Sequence, residues 1–432
     1  MLPPRHSVTT PIRILRIITR MNIGGPAVHV ALLSTTLDRE QFSTCLVVGE
    51  PDPTEGDLRE LVRGDGVRVI RLTALQRAIR PWADAVALWQ LLRIVWREHP
   101  QIIHTHMAKA GTLGRLAGLL YNVVGPGRRP PARALLVHTF HGHVLDGYFP
   151  SHITRFFITI ERWLARRTDS LIAVSATVRD ELLKKRIGHR EQWHVIPLGL
   201  DLTRLVQLPS PERSSSVRVG LVARLVPIKN PSLLLEALCQ LQHRGAGPVV
   251  TAVFVGDGPL RHDLERRVEA LGLDKVVTFA GWQRDIRSVY ESLDIVCLTS
   301  RNEGTPLALI EAMAAGRAVV GTAVGGVRDL LGEPQETSVE MARGQFALCP
   351  RGILVMPEDA EGLAAALDAL AGDASLRNTL GEAGRRYVTS TFSHGRLLRD
   401  MADLYMAWSH LPPVEANAAG PLVEVQPNNV GV

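Results

Sequence analysis

Apolar runs of about 4 to 8 residues, the length of buried strands, recur along the chain, each followed by a polar or glycine-bearing turn and a stretch of helical spacing. In the first half the strands read as 12–18, about 44–48, about 67–71, 102–104, 134–140, 170–175 and 194–197. Helical spacing begins near Ala27 and returns over 82–97, 155–167 and 176–185. The stretch 208–216, LPSPERSSS, carries proline, serine and charge without periodicity and reads as a linker. After it the alternation resumes with a strand over 217–222. Strands alternating with helices predict parallel, doubly wound sheets. The expected organisation is an α/β chain with two Rossmann-like domains, 1–207 and 217–392, joined by the linker 208–216. A last helix over 393–411 crosses back to the first domain, and 412–432 reads as disordered.

The most informative segment is Ser300 to Val320, SRNEGTPLALIEAMAAGRAVV. It follows a strand over 293–298, and its second half has helical spacing at Leu307, Ile310, Met313 and Ala314. Asn302, Gly304 and Pro306 set a tight turn at the strand's carboxyl end, the edge of a parallel sheet where ligands collect. Glu303 sits in that turn and Glu311 about one turn into the helix, so both can face one ligand. An ionised carboxylate is an acceptor with two oxygens, which suits sugar hydroxyls in the loop and a ribose diol from the helix. A capping acid followed by a solvated helix glutamate has the same spacing.

Other strand ends carry further chemistry. Gly24 and Gly25 precede the first helix and let backbone approach a phosphate at its N-terminus. His104-Thr105-His106 leads to Lys109, which reads either as a partner for an anionic group or as a solvated lysine of a first helical turn. Two histidines at this spacing offer too few ligands for a metal. His141, in His141-Gly142-His143, stands at a loop mouth and is uncharged at neutral pH, whereas His138 and His143 fit a core role better. Arg224 and Lys229 follow the first strand of the second half and can converge on one anion, as fork and point charge. Asp285 frames a ligand loop or caps the helix after it.

Composition narrows the class. The 432 residues, 46% hydrophobic and 21% charged, describe a globular two-domain protein. Neither a signal-peptide core nor about 20 consecutive apolar residues is present, so a cytoplasmic location is expected. Cys45, Cys239, Cys297 and Cys349 lack metal or disulfide spacing and read as reduced, buried thiols. Residues 1–198 hold 27 Lys and Arg against 16 Asp and Glu, while the remainder holds 22 against 27. The basic half points to an anionic substrate or membrane face, and no nucleic-acid motif accompanies it. Residues 155–167 combine aromatic residues with arginines and fit either a bilayer surface or ordinary core.

Glu303-Gly304-x-Pro306 followed by Glu311-Ala312-Met313-Ala314-x-Gly316 resembles the signature of the retaining glycosyltransferases of family 4. The resemblance extends over roughly 12–408. His104 to Gly111 is similar to the H-T-H-x-x-K-A-G segment of its bacterial polysaccharide members, and Arg224 to Lys229 to its G-R-L-x-x-x-K segment. Leu198, Ala223 and Asn230 depart from the usual residues of the hinge and the basic loop.

The resemblance implies the GT-B arrangement, with an acceptor-binding first domain and a nucleotide-sugar-binding second. It implies sugar transfer from a nucleoside diphosphate donor, UDP favoured over GDP, to an acceptor hydroxyl, with retention and without metal or other cofactor. Catalytic roles fall to His141, Arg224, Lys229 and Glu303. Donor contacts fall to Gly24, Gly25, Asp285, Gly304, Thr305, Pro306, Leu307 and Glu311, and acceptor contacts to His106 and Lys109. The expected partners are the donor and a sugar or lipid-linked acceptor of cell-envelope or exopolysaccharide synthesis, with peripheral contact at the inner membrane face through the basic domain. Residues 332–350 exceed the family pattern and read as an insertion or mobile loop. A nucleotide-sugar epimerase and a non-catalytic nucleotide-sugar binder are the alternatives; a dinucleotide oxidoreductase lacks its G-x-G-x-x-G.

Overall fold

The computed structural model describes residues 10–22, 24–51, 56–63, 66–128, 133–142, 151–211, 216–244, 248–335 and 341–408. Among them the chain forms two seven-stranded sheets. The first half runs β1 (Ile12–Ile18), α1 (Gly25–Thr35), β2 (Phe42–Gly49), β3 (Arg68–Leu72), α2 (Pro81–Glu98), β4 (Ile102–His106) and α3 (Ala108–Val124). It continues through β5 (Leu135–Phe140), α4 (Ser151–Ala165), β6 (Ser170–Ala173), α5 (Ala176–Lys184) and β7 (Trp193–Val195). These strands are parallel in the order β3-β2-β1-β4-β5-β6-β7. After the short α6 (Thr203–Val206), the second half runs β8 (Ser216–Val222), α7 (Ser232–Arg244), β9 (Val249–Val255), α8 (Arg261–Ala270), β10 (Val277–Gly281) and α9 (Ile286–Glu291). Then come β11 (Ile295–Leu298), α10 (Leu307–Ala314), β12 (Ala318–Thr322), α11 (Gly326–Leu331), β13 (Phe346–Cys349) and β14 (Gly352–Val355). Three helices close the described chain: α12 (Ala360–Gly372), α13 (Ala374–Thr391) and α14 (His394–Trp408). The second sheet is ordered β10-β9-β8-β11-β12-β14-β13, and only the pairing of β13 with β14 is antiparallel.

Central strands are covered on both faces, so they are apolar without alternation: Leu46, Val47 and Val48 are all fully buried. In each sheet the order reverses next to the first strand, at β1/β4 and at β8/β11. A crevice opens at such a switch point, outside the carboxyl ends of the strands. The loops after β1, β4 and β5 therefore share that edge of the first sheet, and those after β8 and β11 that edge of the second.

Several features differ from the sequence reading. β4 extends to His106, which puts the two histidines inside a buried strand instead of a turn. Residues 332–350 are no insertion of loop alone, because β13 adds an antiparallel edge strand there; residues 336–340 lie outside the described residues. The linker's first residues are tied down: the Leu208 carbonyl accepts from Arg385 and the Pro209 carbonyl from the buried Arg317. Helix α14 packs on the first sheet through Leu397, Met401 and Tyr405, against Ile14, Leu33 and Ile102. The stretch 412–432 lies outside the described residues. Among the described helices none is long and apolar enough to cross a membrane.

Candidate active site

The β11–α10 loop is held in place from three sides. Thr322 Oγ1 donates to the Ser300 carbonyl at 2.6 Å, Thr299 Oγ1 to the Lys229 carbonyl at 2.9 Å, and the Arg301 N–H to the Ile228 carbonyl at 2.8 Å. Gly325 and Gly326, ahead of α11, press directly on the loop. A Cβ on either would stand 1.9 Å from the Glu303 or Gly304 carbonyl oxygen, so neither position admits a side chain. Within this frame Glu303 Oε1 accepts from Ser300 Oγ at 2.5 Å and from the Lys229 ammonium. The carboxylate is nearly buried and the lysine about one fifth exposed, at 8% and 22%. Lysine has three donors, and two remain for a ligand.

Arg224 stands in the same basic loop, half-buried, and among the described residues none accepts from its guanidinium. Gly256 and Gly258 back this loop closely, each with its missing Cβ less than 2.5 Å from a carbonyl of 223–225. Asp257 is committed elsewhere, to the Gly258 N–H and Arg261.

Glu311 lies one turn into α10, where Tyr290 Oη donates to it at 2.7 Å. Burial pushes its carboxyl up from 4.5 to about 7, because the charged form loses solvation that one hydroxyl only partly replaces. Asp285 caps α9, accepting from the Arg287 N–H and Ser288 Oγ, and is exposed. Of the two readings for that residue, the cap is the one with a visible contact. Thr305 and Pro306 lie in the turn between Glu303 and α10, and Thr305 Oγ1 is buried without a partner among the described residues.

The first half meets this loop directly. A Cβ on Gly304 would lie 2.7 Å from the His141 carbonyl, and one on Gly142 3.5 Å from the Gly304 Cα. A Cβ on Gly25 would lie 3.7 Å from Leu307, so the first turns of α1 and α10 face each other; Gly24 is the N-cap of α1. The chain thereby brings His141, Gly24, Gly25, Glu303, Gly304, Leu307 and the Lys229 loop to one cleft.

Around His141 the structure assembles a histidine cluster. His106 Nδ1 lies 3.1 Å from His141 Nε2, and the His29 ring packs edge-on to His141 with centroids 5.0 Å apart. Burial lowers all three, His141 to about 3, so they are neutral at ordinary pH. Both nitrogens of His29 and Nε2 of His106 have no partner among the described residues. Beneath them His104 accepts or donates to Tyr405 Oη at 2.6 Å and Thr139 Oγ1 at 2.7 Å, and Arg16 Nη1 stands 3.0 Å from its Nδ1. Helix α14 thus braces the floor of the cluster.

Two expectations need correction. Lys109 is neither solvated nor open to an anion: its ammonium is bonded to Asp84 Oδ1 at 2.6 Å and to the Ala78 carbonyl, pinning the start of α2 to α3. The histidine spacing also suggested too few metal ligands, yet one nitrogen each of His29, His106 and His141 lie within 4.8 Å of one another. Three imidazoles suit zinc by donor type. The surroundings weigh against a divalent cation, since the fully buried Arg16 stands below and no carboxylate joins the set. His29, Ser300, Tyr290 and Tyr405 escaped the sequence reading. Only His29 carried a signal, as a histidine on an apolar helix one turn past a glycine pair.

Comparison with known proteins fits this geometry. Residues 209–387 match the family described as glycosyl transferases group 1, and residues 24–199 match the glycosyl transferase 4-like domain. The UDP-Gal:α-D-GlcNAc-diphosphoundecaprenol α-1,3-galactosyltransferase of Escherichia coli is 29% identical over 65% of this chain and 71% of its own length. The 2-deoxystreptamine N-acetyl-D-glucosaminyltransferase of Streptomyces fradiae is 29% identical over 87% and 91%. The crystal structure of Anabaena HepE in complex with UDP has the same fold, with a TM-score of 0.70 at 21% identity, covering 92% of this chain and 100% of that one.

Proposed function

We propose that this chain, which belongs to the GT-B glycosyltransferases, transfers a sugar from a nucleoside diphosphate donor to an acceptor hydroxyl with retention at the anomeric carbon. UDP is favoured over GDP, since the Escherichia coli relative is named for a UDP-sugar and HepE was crystallised with UDP. The observation that carries the reading is the charged arrangement at the β8 and β11 ends: Arg224 without a side-chain partner among the described residues, in the same loop as Lys229, which is bonded to a nearly buried Glu303. A site that already supplies two cations at the position of a departing diphosphate needs no metal for that charge. A pure binder would hold the donor with the same cations but not turn it over, and an epimerase needs a carboxylate pair placed for proton exchange.

In this reading Glu303, fixed by Ser300 and Lys229, accepts hydrogen bonds from the donor sugar, and Glu311 accepts from the ribose. Gly24, Gly25, Gly304 and Thr305 offer backbone and hydroxyl contacts to the donor, with Pro306 and Leu307 shaping the turn. Neutral His141 hydrogen-bonds the sugar from the opposite wall. The C–O bond to the diphosphate breaks as Arg224 and Lys229 take up its charge, and the acceptor oxygen attacks from the same face, its proton leaving to the diphosphate. A lipid-linked acceptor of cell-envelope or exopolysaccharide synthesis fits the name of the Escherichia coli relative, with the enzyme working peripherally at the inner membrane face. Incubating the protein with UDP- and GDP-sugars and polyprenyl-linked acceptors, and reading product anomeric configuration by proton NMR, tests this. Retained configuration from one donor is the expected result; inversion, or interconverted sugar without transfer, overturns it.

A further inference from the structure

Buried helices spend their apolar residues inward, and α2 does so with Ala87, Leu91, Ile94 and Val95. Its outward face is also apolar. Trp82, Val86 and Trp89 follow one another at helical spacing and are 88%, 48% and 56% exposed, with Ile79 at 61% just ahead of the helix. These four belong to a wider pattern. Of fifteen large hydrophobics left exposed among the described residues, nine lie on α2 with its preceding turn, on α3 or on α4, which pack side by side on one face of the first sheet.

The charges of that layer have one sign outward. The carboxylates of α2 and α4 are each engaged by cations: Asp84 by Lys109, Glu98 by Arg68 and Arg97, Glu161 by the buried Arg115. Helix α3 has no acid. Arg77, Arg80, Arg93, Arg155 and Arg166 stand exposed around the apolar residues, and Arg93 lies over the Trp89 ring at 4.8 Å. An indole stripe edged by arginine is amphipathic in the manner of a helix lying in a bilayer interface, where the rings sit at headgroup level and the cations meet anionic lipid. A second copy pairing through the same face would need carboxylates opposite these arginines, and the described exterior of this layer offers only cations.

We propose that the outer face of α2, with Ile79, Trp82, Val86 and Trp89 as its apolar anchor and Arg80 and Arg93 at its edge, is a docking surface for an anionic lipid bilayer. This places membrane contact on α2; on α4, the other candidate, Phe156 and Trp163 are exposed at 62% and 43%, but Leu164 is buried and Ile160 half-buried, so its apolar stripe is split between core and surface. The location also fits the chemistry. The amino end of α2 lies at the carboxyl edge of the sheet, where Lys109 ties it to α3 just after His106. Docking there brings the first-domain side of the cleft to the lipid surface. The acceptor's lipid link and a peripheral location belong to the proposed function; the assignment of the contact to α2 rests on its exposed residues alone.

The test is sedimentation of the full chain with phosphatidylcholine vesicles containing one quarter phosphatidylglycerol, in the absence of donor, with tryptophan fluorescence as second readout. The chain is expected to bind these vesicles with a blue shift, weakly bind pure phosphatidylcholine, and release with salt. W82A/W89A should lower the partition coefficient by about 10-fold or more, because two interfacial rings are lost. Its thermal midpoint and UDP response should stay those of the wild type, since both rings are outside the core. Vesicle binding that is absent, or equal in W82A/W89A, overturns the proposal. So does sedimentation velocity showing a dimer that the double variant dissolves. Failure of sugar transfer with intact vesicle binding would count against the proposed function alone.

Discussion

The two walls of the cleft use different electrostatics. The second half presents formal charges, with Lys229, Glu303 and Arg224 on loops at the ends of β8 and β11. The first half presents His29, His106 and His141, which burial keeps neutral. Charge is placed where a diphosphate's charge would change during transfer, and uncharged donors and acceptors where a sugar would need direction. In the proposed reaction the difference would give transition-state stabilisation to one wall and orientation to the other.

The largest expected effect is on the charged wall. Arg224→Ala and Lys229→Ala should each slow turnover by about 10²-fold or more, as for other preorganised charge donors; the thermal midpoint should be unchanged in Arg224→Ala and lower in Lys229→Ala, which leaves the nearly buried Glu303 without its cation. Near-normal turnover in both would remove the basis of the comparison. On the neutral wall, His141→Ala should cost about 10-fold, the worth of one hydrogen bond to substrate. The rate of the wild type between pH 5 and 8 should show no imidazole titration, because a group near pH 3 has already lost its proton. A histidine-like inflection near pH 6 to 7 that vanishes in His141→Ala would mean that the neutral wall carries charge.

Glu311 sharpens the comparison, as a carboxyl raised to about 7. The ionised form is the better ribose acceptor, so donor affinity should weaken as pH falls below 7, by up to about 10-fold per unit. Glu311→Gln should bind weakly and without this dependence, as read by isothermal calorimetry. Stability has the opposite sign. A carboxyl whose folded value is raised binds its proton more tightly when folded, so its contribution is complete below about 4.5 and is lost as pH rises through 7. Smallest of all, Asp285→Ala should lower the thermal midpoint slightly through its lost cap and leave donor affinity within about twofold. A large loss of affinity would return Asp285 to the donor site.

Strand–helix alternation and the Glu303-to-Gly316 segment were readable because each depends on neighbours in sequence: a period, a turn residue, a glycine at fixed offset. Boundaries agreed to within a few residues for β1, α2 and β5 for that reason. The exceptions have one cause. Lys109 read as an anion's partner or a solvated lysine because Asp84 and the Ala78 carbonyl, which engage it, belong to the preceding helix and its approach turn. The 346–349 strand looked like insertion because its partner pairs antiparallel after a short turn, and edge strands carry weak periodicity.

By itself, then, the sequence determined the two α/β halves, the loop with Glu303, and the basic pair Arg224 and Lys229, all properties of short windows governed by local sterics and burial. Tertiary structure alone decided that His29, His106 and His141 share a site, since they come from α1, β4 and the loop after β5. It decided that Tyr405, 301 residues after His104, supports that site's floor. It also decided that α2 shows tryptophan to solvent, because the apolar residues of a helix announce two faces equally until packing chooses which one the core receives.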